Sequence, residues 1–259
     1  MNIVVLMKQV PDTYAERKLS ATDNTLDRDA SDAVINEIDE YAIEEGLLLK
    51  EAHGGEVTIL TMGPERATES IRKALSMGAD KGVQITDPAL HGSCAIATAK
   101  VLAKAIGTLN PDIVLAGLEA TDSRLSVVPA LVAEATGFPQ LSGARKVTVE
   151  GSTITIERTT DTGYDRIQAD GPAVVSVVEK INEPRYPSFK GIMAAKSKPV
   201  QQLTIADLGV SADEVGLANA TTVVESFEVA PPRAAGVVVK DEGQGAAAIA
   251  DFLAAKKLI

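Results

Sequence analysis

The sequence predicts an α/β fold with a mostly parallel sheet and helices on both faces. Short apolar runs alternate with helix-length amphipathic segments as far as residue 135. Such β-α-β-α alternation is typical of parallel strands joined by crossover helices. From residue 146 onward, apolar residues instead recur at every second position, which predicts an added antiparallel edge.

Four short apolar runs in the first half, each bounded by turn residues, predict strands at 2–7, 55–63, 81–86 and 111–117. Four helices share apolar residues near helical spacing, and three of them are followed by a glycine: 40–52, 67–77, 94–106 and 127–135.

The second half has a different pattern. Residues 146–151 and 152–161 predict a hairpin that turns at Gly151, and residues 171–180 predict a further strand. Beyond Pro199 the chain has few long apolar elements until a last helix at 246–258. We therefore expect an α/β domain over 1–199 and a C-terminal arm with a helix over 200–259.

Composition excludes several classes of protein. The net charge of −11 and an aromatic content of 3% argue against a nucleic-acid partner and against binding to an anionic membrane. A single cysteine allows no intramolecular disulfide, and no apolar stretch approaches the ~20 residues of a membrane span. The N-terminal apolar run is short and lacks a cleavage-site pattern, so it predicts a strand instead of a signal peptide. We expect a cytoplasmic protein without membrane insertion.

Motifs for catalysis or metal binding do not occur in the sequence. There is no P-loop and no G-x-S-x-G turn, and the two histidines, His53 and His91, lie far apart without a C-x-x-C or H-E-x-x-H pattern. Residues 243–248, GQGAAA, match a dinucleotide string, but no acidic residue follows ~20 positions later, so we interpret them as a flexible joint. We expect no metal site and no catalytic residues.

The carboxyl ends of the predicted parallel strands are the place where such sheets bind ligands. The strand at 111–117 leads into GLEATDSRLSVV, residues 117–128. Gly117 permits close backbone approach, and Thr121 to Ser123 are residue types that begin helices. The turn is either a phosphate-binding loop or an ordinary helix cap. Asn36, ahead of the first helix, is likewise either a cap or an adenine and ribose contact.

Six stretches carry a resemblance that runs along the whole chain. They are VVLMKQVPDT, VINEIDEYAIEE, MGPERATESIRKALSMGAD, PDIVLAGLEATD, PAVVSVVEKINEPRYPS and IMAAKSK. Together they resemble the beta subunit of electron transfer flavoproteins. The resemblance implies a Rossmann-like, adenine nucleotide hydrolase-type sheet over residues 1–199, a nucleotide-binding domain. It also implies a heterodimer in which residues 200–259 wrap an alpha subunit.

The family's role implies the function. Such a subunit is an electron carrier without catalysis of its own. It passes electrons from acyl-CoA dehydrogenases in fatty acid oxidation, or from other flavin dehydrogenases, to a quinone reductase or another acceptor. FAD lies mainly on the alpha subunit and is shared, and AMP is a structural ligand of the beta subunit.

The resemblance also implies site residues. Those matching AMP contacts are Leu6, Asn36, Glu37, Ile38, Asp39, Ile59, Gly117, Leu118, Glu119, Ala120, Thr121, Asp122, Ser123, Arg124, Leu125, Ser126, Val127 and Val128. Thr13, Tyr14 and Ile38 match positions near the flavin. Many members have Gln-Thr-Gly or Gln-Val-Gly where this chain has Val127-Val128-Pro129, which leaves backbone N–H groups to hold an AMP phosphate.

A recognition loop for dehydrogenases falls on residues 182–198, with Tyr186, Phe189, Lys190, Ile192 and Met193 as its contact residues. Phe189 stands where the family usually has an anchoring leucine. The stretch 181–198 has four basic residues against Glu183 alone, in an acidic protein. We expect Lys190, Lys196 and Lys198 to attract acidic surfaces of partner proteins and so to speed their encounter.

Two alternatives remain open. A second FAD would replace AMP in a bifurcating-type flavoprotein. A universal-stress-type nucleotide-binding protein would have a similar sheet but would form a homodimer.

Overall fold

The computed structural model describes residues 1–233 and 235–259. They form two compact units, Met1–Glu225 and Ser226–Ile259. The first unit therefore continues past residue 199, the end of the domain that the sequence suggests. It does so because residues 200–203 pair with the sheet as its edge strand.

The first unit contains eleven strands. In chain order they are β1 (Asn2–Leu6), β2 (Gln9–Pro11), β3 (Ala33–Ile35), β4 (Glu56–Met62), β5 (Lys81–Ile85), β6 (Ile113–Gly117), β7 (Gln140–Glu150), β8 (Thr153–Thr160), β9 (Gly163–Asp170), β10 (Ala173–Val177) and β11 (Val200–Leu203). The helices of this unit are α1 (Glu37–His53), α2 (Thr68–Met77), α3 (Ala95–Leu109), α4 (Val128–Thr136) and α5 (Phe189–Ala195).

Nine of these strands form one sheet in the order β11-β5-β4-β1-β6-β10-β7-β8-β9. The pairs from β11 to β7 are parallel, and β7-β8 and β8-β9 are antiparallel. The predicted α/β class with an antiparallel edge is confirmed. β2 and β3 form a separate two-stranded antiparallel ribbon.

Each face of the sheet has its own core, because successive side chains of a strand point to opposite faces. Ile3 and Val5 of β1 pack with α1 and α2 on one face. Val4 and Leu6 pack with α3 and α4 on the other. The helices therefore cover both faces of the sheet, and its parallel strands are buried.

Five elements are not in the sequence prediction: β2, β3, β9, β11 and α5. β2 and β3 have only three residues each. β9 reads GYDRIQAD and is mostly exposed, so it lacks a strong apolar alternation. β11 has four residues and α5 has seven, which is too short for a periodic pattern. α3 also continues through Gly107 to Leu109, and Asn110 in the left-handed conformation ends it.

The second unit contains α6 (Gly245–Ala255), close to the predicted last helix. None of the residues of α6 is buried. Over residues 1–233 and 235–259, no helix combines the length and apolar character needed to cross a bilayer.

Candidate functional site

The carboxylate of Asp39 joins the ends of two central strands. Its Oδ2 accepts the N–H of Lys8, just after β1, at 2.8 Å. Its Oδ1 accepts the N–H of Gly117, the last residue of β6, at 3.2 Å. A Cβ on Gly117 would lie 2.4 Å from Oδ1, so only glycine fits this close approach. The start of α1 is thereby fixed to the strand ends.

Burial dominates the electrostatics of Asp39, whose exposed fraction is 6%. Burial raises the pKa of Asp39 to about 7, because the charged form loses its hydration, although hydrogen bonds from Lys8, Asn36 and Gly117 favour that form. The carboxyl group therefore changes its charge near neutral pH.

Asn36 connects α1 to the loop that follows β6. Its Nδ2 donates to the carbonyl of Glu119 at 2.9 Å, and its Oδ1 accepts the N–H of Thr121 at 2.9 Å. It makes no side-chain cap to α1. Both polar atoms of its amide hold the loop, so the side chain is not the helix cap considered from sequence. The adenine and ribose contact stays a prediction.

The loop over residues 117–128, here called the strand-end loop, is held by charge at Asp122. The Asp122 carboxylate lies 2.8 Å from Lys8 Nζ and 3.4 Å from Arg28 Nη1, with 2% of its side chain exposed. Burial alone would raise the pKa of Asp122, but the charges and hydrogen bonds of Lys8 and Arg28 outweigh it and lower that pKa. Burial lowers the pKa of Lys8.

The outer part of the strand-end loop has features of an anion site. Glu119 accepts from Ser126 Oγ at 2.8 Å and lies 3.8 Å from Arg124 Nη1, so a carboxylate already sits beside these groups. Arg124 and Ser126 both have positive φ, which turns the backbone sharply ahead of α4. α4 itself begins without a side-chain cap. No side chain that the structure describes therefore accepts hydrogen bonds from the first N–H groups of the helix.

A buried hydroxyl in the same loop lacks a partner. Thr121 is 7% exposed, and its Oγ1 has no hydrogen bond among the residues that the structure describes. Buried hydroxyls are normally paired, so this one is available to a water molecule or to a ligand.

The residues matched to AMP contacts are brought together only in part. Asn36, Asp39 and the strand-end loop meet as described, and Glu37 is exposed at the start of α1. Leu6 and Ile38 are buried near the strand ends. Ile59 lies within β4, fully buried in the core on the α1 side, whereas Leu6 faces the α3 side. The side chains of Leu6 and Ile59 therefore do not face one site.

Residues 182–198, here called the docking segment, expose their apolar side chains. Tyr186 is 95% exposed and Phe189 80%, and Ile192 and Met193 are about half exposed. Ser188 caps α5 by accepting the N–H of Gly191 at 3.0 Å.

The basic residues of the docking segment are divided in their roles. Arg185 pairs with Glu44 and Glu51, and Lys198 Nζ donates to the carbonyls of Leu75 and Ala79 at 3.0 and 2.6 Å. The ammonium group of Lys198 thus bonds to carbonyls at the end of α2 and just after it, and its role in steering stays a prediction. Lys190 and Lys196 remain candidates for steering.

Comparison with known proteins gives the family. The model of the electron transfer flavoprotein domain matches residues 23–208. The electron transfer flavoprotein subunit beta of Mycobacterium tuberculosis (strain ATCC 25618 / H37Rv) is 55% identical over 264 residues, covering 100% of this chain and 99% of that protein. The chain belongs to the electron transfer flavoprotein beta-subunit family.

More distant beta subunits align over most of their length. That of Thermoanaerobacterium thermosaccharolyticum is 40% identical over 239 residues, covering 92% of each chain. That of Megasphaera elsdenii is 35% identical over 271 residues and covers both chains fully. The resemblance noted from sequence motifs is confirmed.

Two of the three positions matched to the flavin, Thr13 and Tyr14, closely follow β2. Tyr14 is 93% exposed, and Thr13 has a buried Oγ1 without a partner among the described residues. Ile38 is buried in the first turn of α1. Tyr14 alone of these three presents a large exposed surface.

Three residues that hold these surfaces were not found from the sequence: Lys8, Arg28 and Glu44. Lys8 follows a strand end, which is a usable signal. The others act through partners far away in the sequence, and no local pattern marks them.

The raised pKa of Asp39 predicts a pH dependence of stability. Between about pH 4 and pH 7 the folded state holds a proton on Asp39 that the unfolded state has lost, so the free energy of unfolding falls as pH rises. The slope from this group is at most about 1.4 kcal/mol per pH unit. Urea denaturation at several pH values should show this fall in the wild type and its absence in Asp39→Asn.

Glu37→Gln is the matched control, because Glu37 is an exposed carboxyl two residues away. It should keep the wild-type pH dependence. If the free energy of unfolding changed with pH in the same way in the wild type and in Asp39→Asn, Asp39 would not be the group responsible.

Proposed function

We propose that this chain is the beta subunit of a heterodimeric electron transfer flavoprotein. It carries electrons from acyl-CoA dehydrogenases in fatty acid oxidation, or from other flavin dehydrogenases, to a quinone reductase or another acceptor. The observation that carries the proposal is the full-length match to beta subunits at 55% identity. The expected location is the cytoplasm. FAD belongs mainly to the alpha subunit, with Thr13 and Tyr14 on the side facing it.

AMP is the proposed ligand of the strand-end loop. The support is the unpaired hydroxyl of Thr121, the uncapped start of α4 and the basic side chain of Arg124. AMP would place its phosphate where the carboxylate of Glu119 now sits against Ser126, and backbone N–H groups would hold it. Asn36 and Asp39 would support the loop, since their polar side-chain atoms are already engaged.

Thr121→Val tests the nucleotide site. If AMP pairs with the hydroxyl, its removal should weaken AMP binding about fivefold, since a hydrogen bond contributes about 1 kcal/mol. The nucleotides released by acid denaturation of the purified heterodimer should then include less AMP, with FAD unchanged.

Thr121→Ser keeps the hydroxyl and is the control, with AMP retained. If Thr121→Val keeps all its AMP and resists unfolding better than the wild type, the hydroxyl is simply unsatisfied and does not contact the nucleotide. The same measurement decides the bifurcating alternative, because two FAD molecules and no AMP per heterodimer would replace the AMP proposal.

The alpha subunit is the proposed partner of the second unit. Many large apolar side chains of Ser226–Ile259 are exposed: Phe227, Val229, Val237, Val238, Val239, Ile249, Phe252, Leu258 and Ile259. Exposed apolar surface of this extent is typical of a protein–protein contact. We propose that this unit, which is part of the arm expected over residues 200–259, wraps the alpha subunit.

A double change, Val237→Asp with Val238→Asp, tests that contact. Both side chains are about nine-tenths exposed, so the chain alone should fold as before. Co-purification with the alpha subunit should fall at least tenfold, because each charge would have to be desolvated in the interface.

Leu48→Asp, at an exposed apolar residue of α1, is the control and should leave co-purification intact. Equal recovery of the alpha subunit by all variants would refute the contact. A nucleotide-loaded homodimer that forms without any alpha subunit would favour the universal-stress-type alternative.

The docking segment is the proposed contact for dehydrogenases, through Tyr186, Phe189, Lys190, Ile192 and Met193. Its support is the exposure of four large side chains, three on α5 and Tyr186 just before it. Phe189→Ala should raise the heterodimer concentration that half-saturates flavin reduction by a dehydrogenase about tenfold or more, since buried aromatic anchors dominate interfaces. FAD content should not change.

Tyr164→Ala is the matched control, since Tyr164 is a half-exposed aromatic residue on β9. It should transfer electrons as the wild type does. Unchanged kinetics in Phe189→Ala would place the anchor elsewhere.

A further inference from the structure

The guanidinium group of Arg185 is fully engaged inside its own domain. Nε and Nη2 reach Glu44 at 2.8 Å, and Nη1 reaches Glu51 at 2.6 Å. The backbone N–H of Arg185 also donates to Glu44 at 3.1 Å. Glu44 is 4% exposed and the side chain of Arg185 33%, so this is a partly buried, forked pair. Hydrogen bonds to Glu44 and then Glu51 raise the pKa of Arg185.

Neighbouring contacts hold the same end of the docking segment. Asn182 Nδ2 donates to the carbonyl of Tyr41 and to Glu45, both at 3.0 Å. The acceptors for Asn182 and Arg185 thus all belong to α1. This end of the segment is attached to one face of a 17-residue helix.

The other end is attached to α2 by reciprocal contacts. Arg72 of α2 donates to the carbonyls of Ala195 and Lys198, both at 2.7 Å. Lys198 donates back to carbonyls at the end of α2. The segment is therefore held at both ends.

Between these attachments, α5 lies directly on α2. A Cβ on Gly191 would come within 2.3 Å of the carbonyl oxygen of Ser76, so the two helices meet at backbone distance. A helix of seven residues is not stable by itself in water. Its order depends on the attachments, and they determine where Phe189, Ile192 and Met193 point.

We propose that Arg185 and Glu44 are a positioning pair for the docking segment. The pair holds the segment in its docking conformation, so that a partner does not have to order it on binding. Arg185 does not supply steering charge, because Glu44 and Glu51 neutralise it. The inference rests on the proposed function of the docking segment.

The test uses Arg185→Gln and Glu44→Gln in the heterodimer, because the two variants change the net charge in opposite directions. Positioning predicts that both raise the half-saturating heterodimer concentration for a dehydrogenase about tenfold, with the limiting rate and the flavin spectrum unchanged. Charge steering predicts shifts of opposite sign. Hydrogen exchange of the amides of residues 189–195 should also become faster in both variants.

Glu40→Gln is the matched control. Glu40 also lies on α1 and pairs with Lys73 at 2.6 Å, but that pair is outside the docking segment and more exposed. Its removal should change the half-saturating concentration less than twofold and leave exchange in α5 unchanged.

Opposite shifts in Arg185→Gln and Glu44→Gln would overturn the proposal in favour of steering. Unchanged exchange in α5 would overturn it as well, and so would faster exchange with unchanged half-saturation. If the wild-type heterodimer accepts electrons from no flavin dehydrogenase, the proposed function fails. The exchange rates still decide whether the pair holds the segment.

Discussion

The attachment of α1 to the ends of β1 and β6 is the constraint on which the site depends. Asp39 accepts N–H groups from both strand ends, and Asn36 holds two backbone groups of the strand-end loop. A buried carboxylate is costly, and the raised pKa of Asp39 reflects that cost. The hydrogen bonds offset it in part and, in return, the loop is fixed relative to the sheet.

The same helix then supports the second surface. One to two turns after Asp39, α1 presents Glu44 and Glu45 to the docking segment. A single rigid element thus sets the positions of both the strand-end loop and the docking segment. This arrangement suits an electron carrier, because transfer requires a defined geometry between partner and cofactor. Rigidity of α1 alone suffices for this, and no coupled motion is required.

The sequence predicted the sheet well, because its strands follow from local patterns. Buried parallel strands are continuous apolar runs, and ligands bind at their carboxyl ends. It failed where partners are distant in the chain. Arg185 and Glu44 are 141 positions apart, and nothing near Arg185 shows that its charge is neutralised. The position of Asn36 before a helix predicts a cap or a nucleotide contact, whereas its observed partners, Glu119 and Thr121, follow β6.

The distribution of charge in the docking segment has a physical consequence for recognition. Two carboxylates neutralise Arg185 within the domain, which leaves Lys190, Lys196 and Lys198 as candidates for long-range attraction, although Lys198 also bonds to carbonyls of its own domain. Screened surface charges affect the rate of encounter more than the affinity. For the proposed dehydrogenase contact, we therefore expect the affinity to come mainly from burying Tyr186, Phe189, Ile192 and Met193. In this segment, half of the basic residues serve structure, and that structure presents an apolar surface.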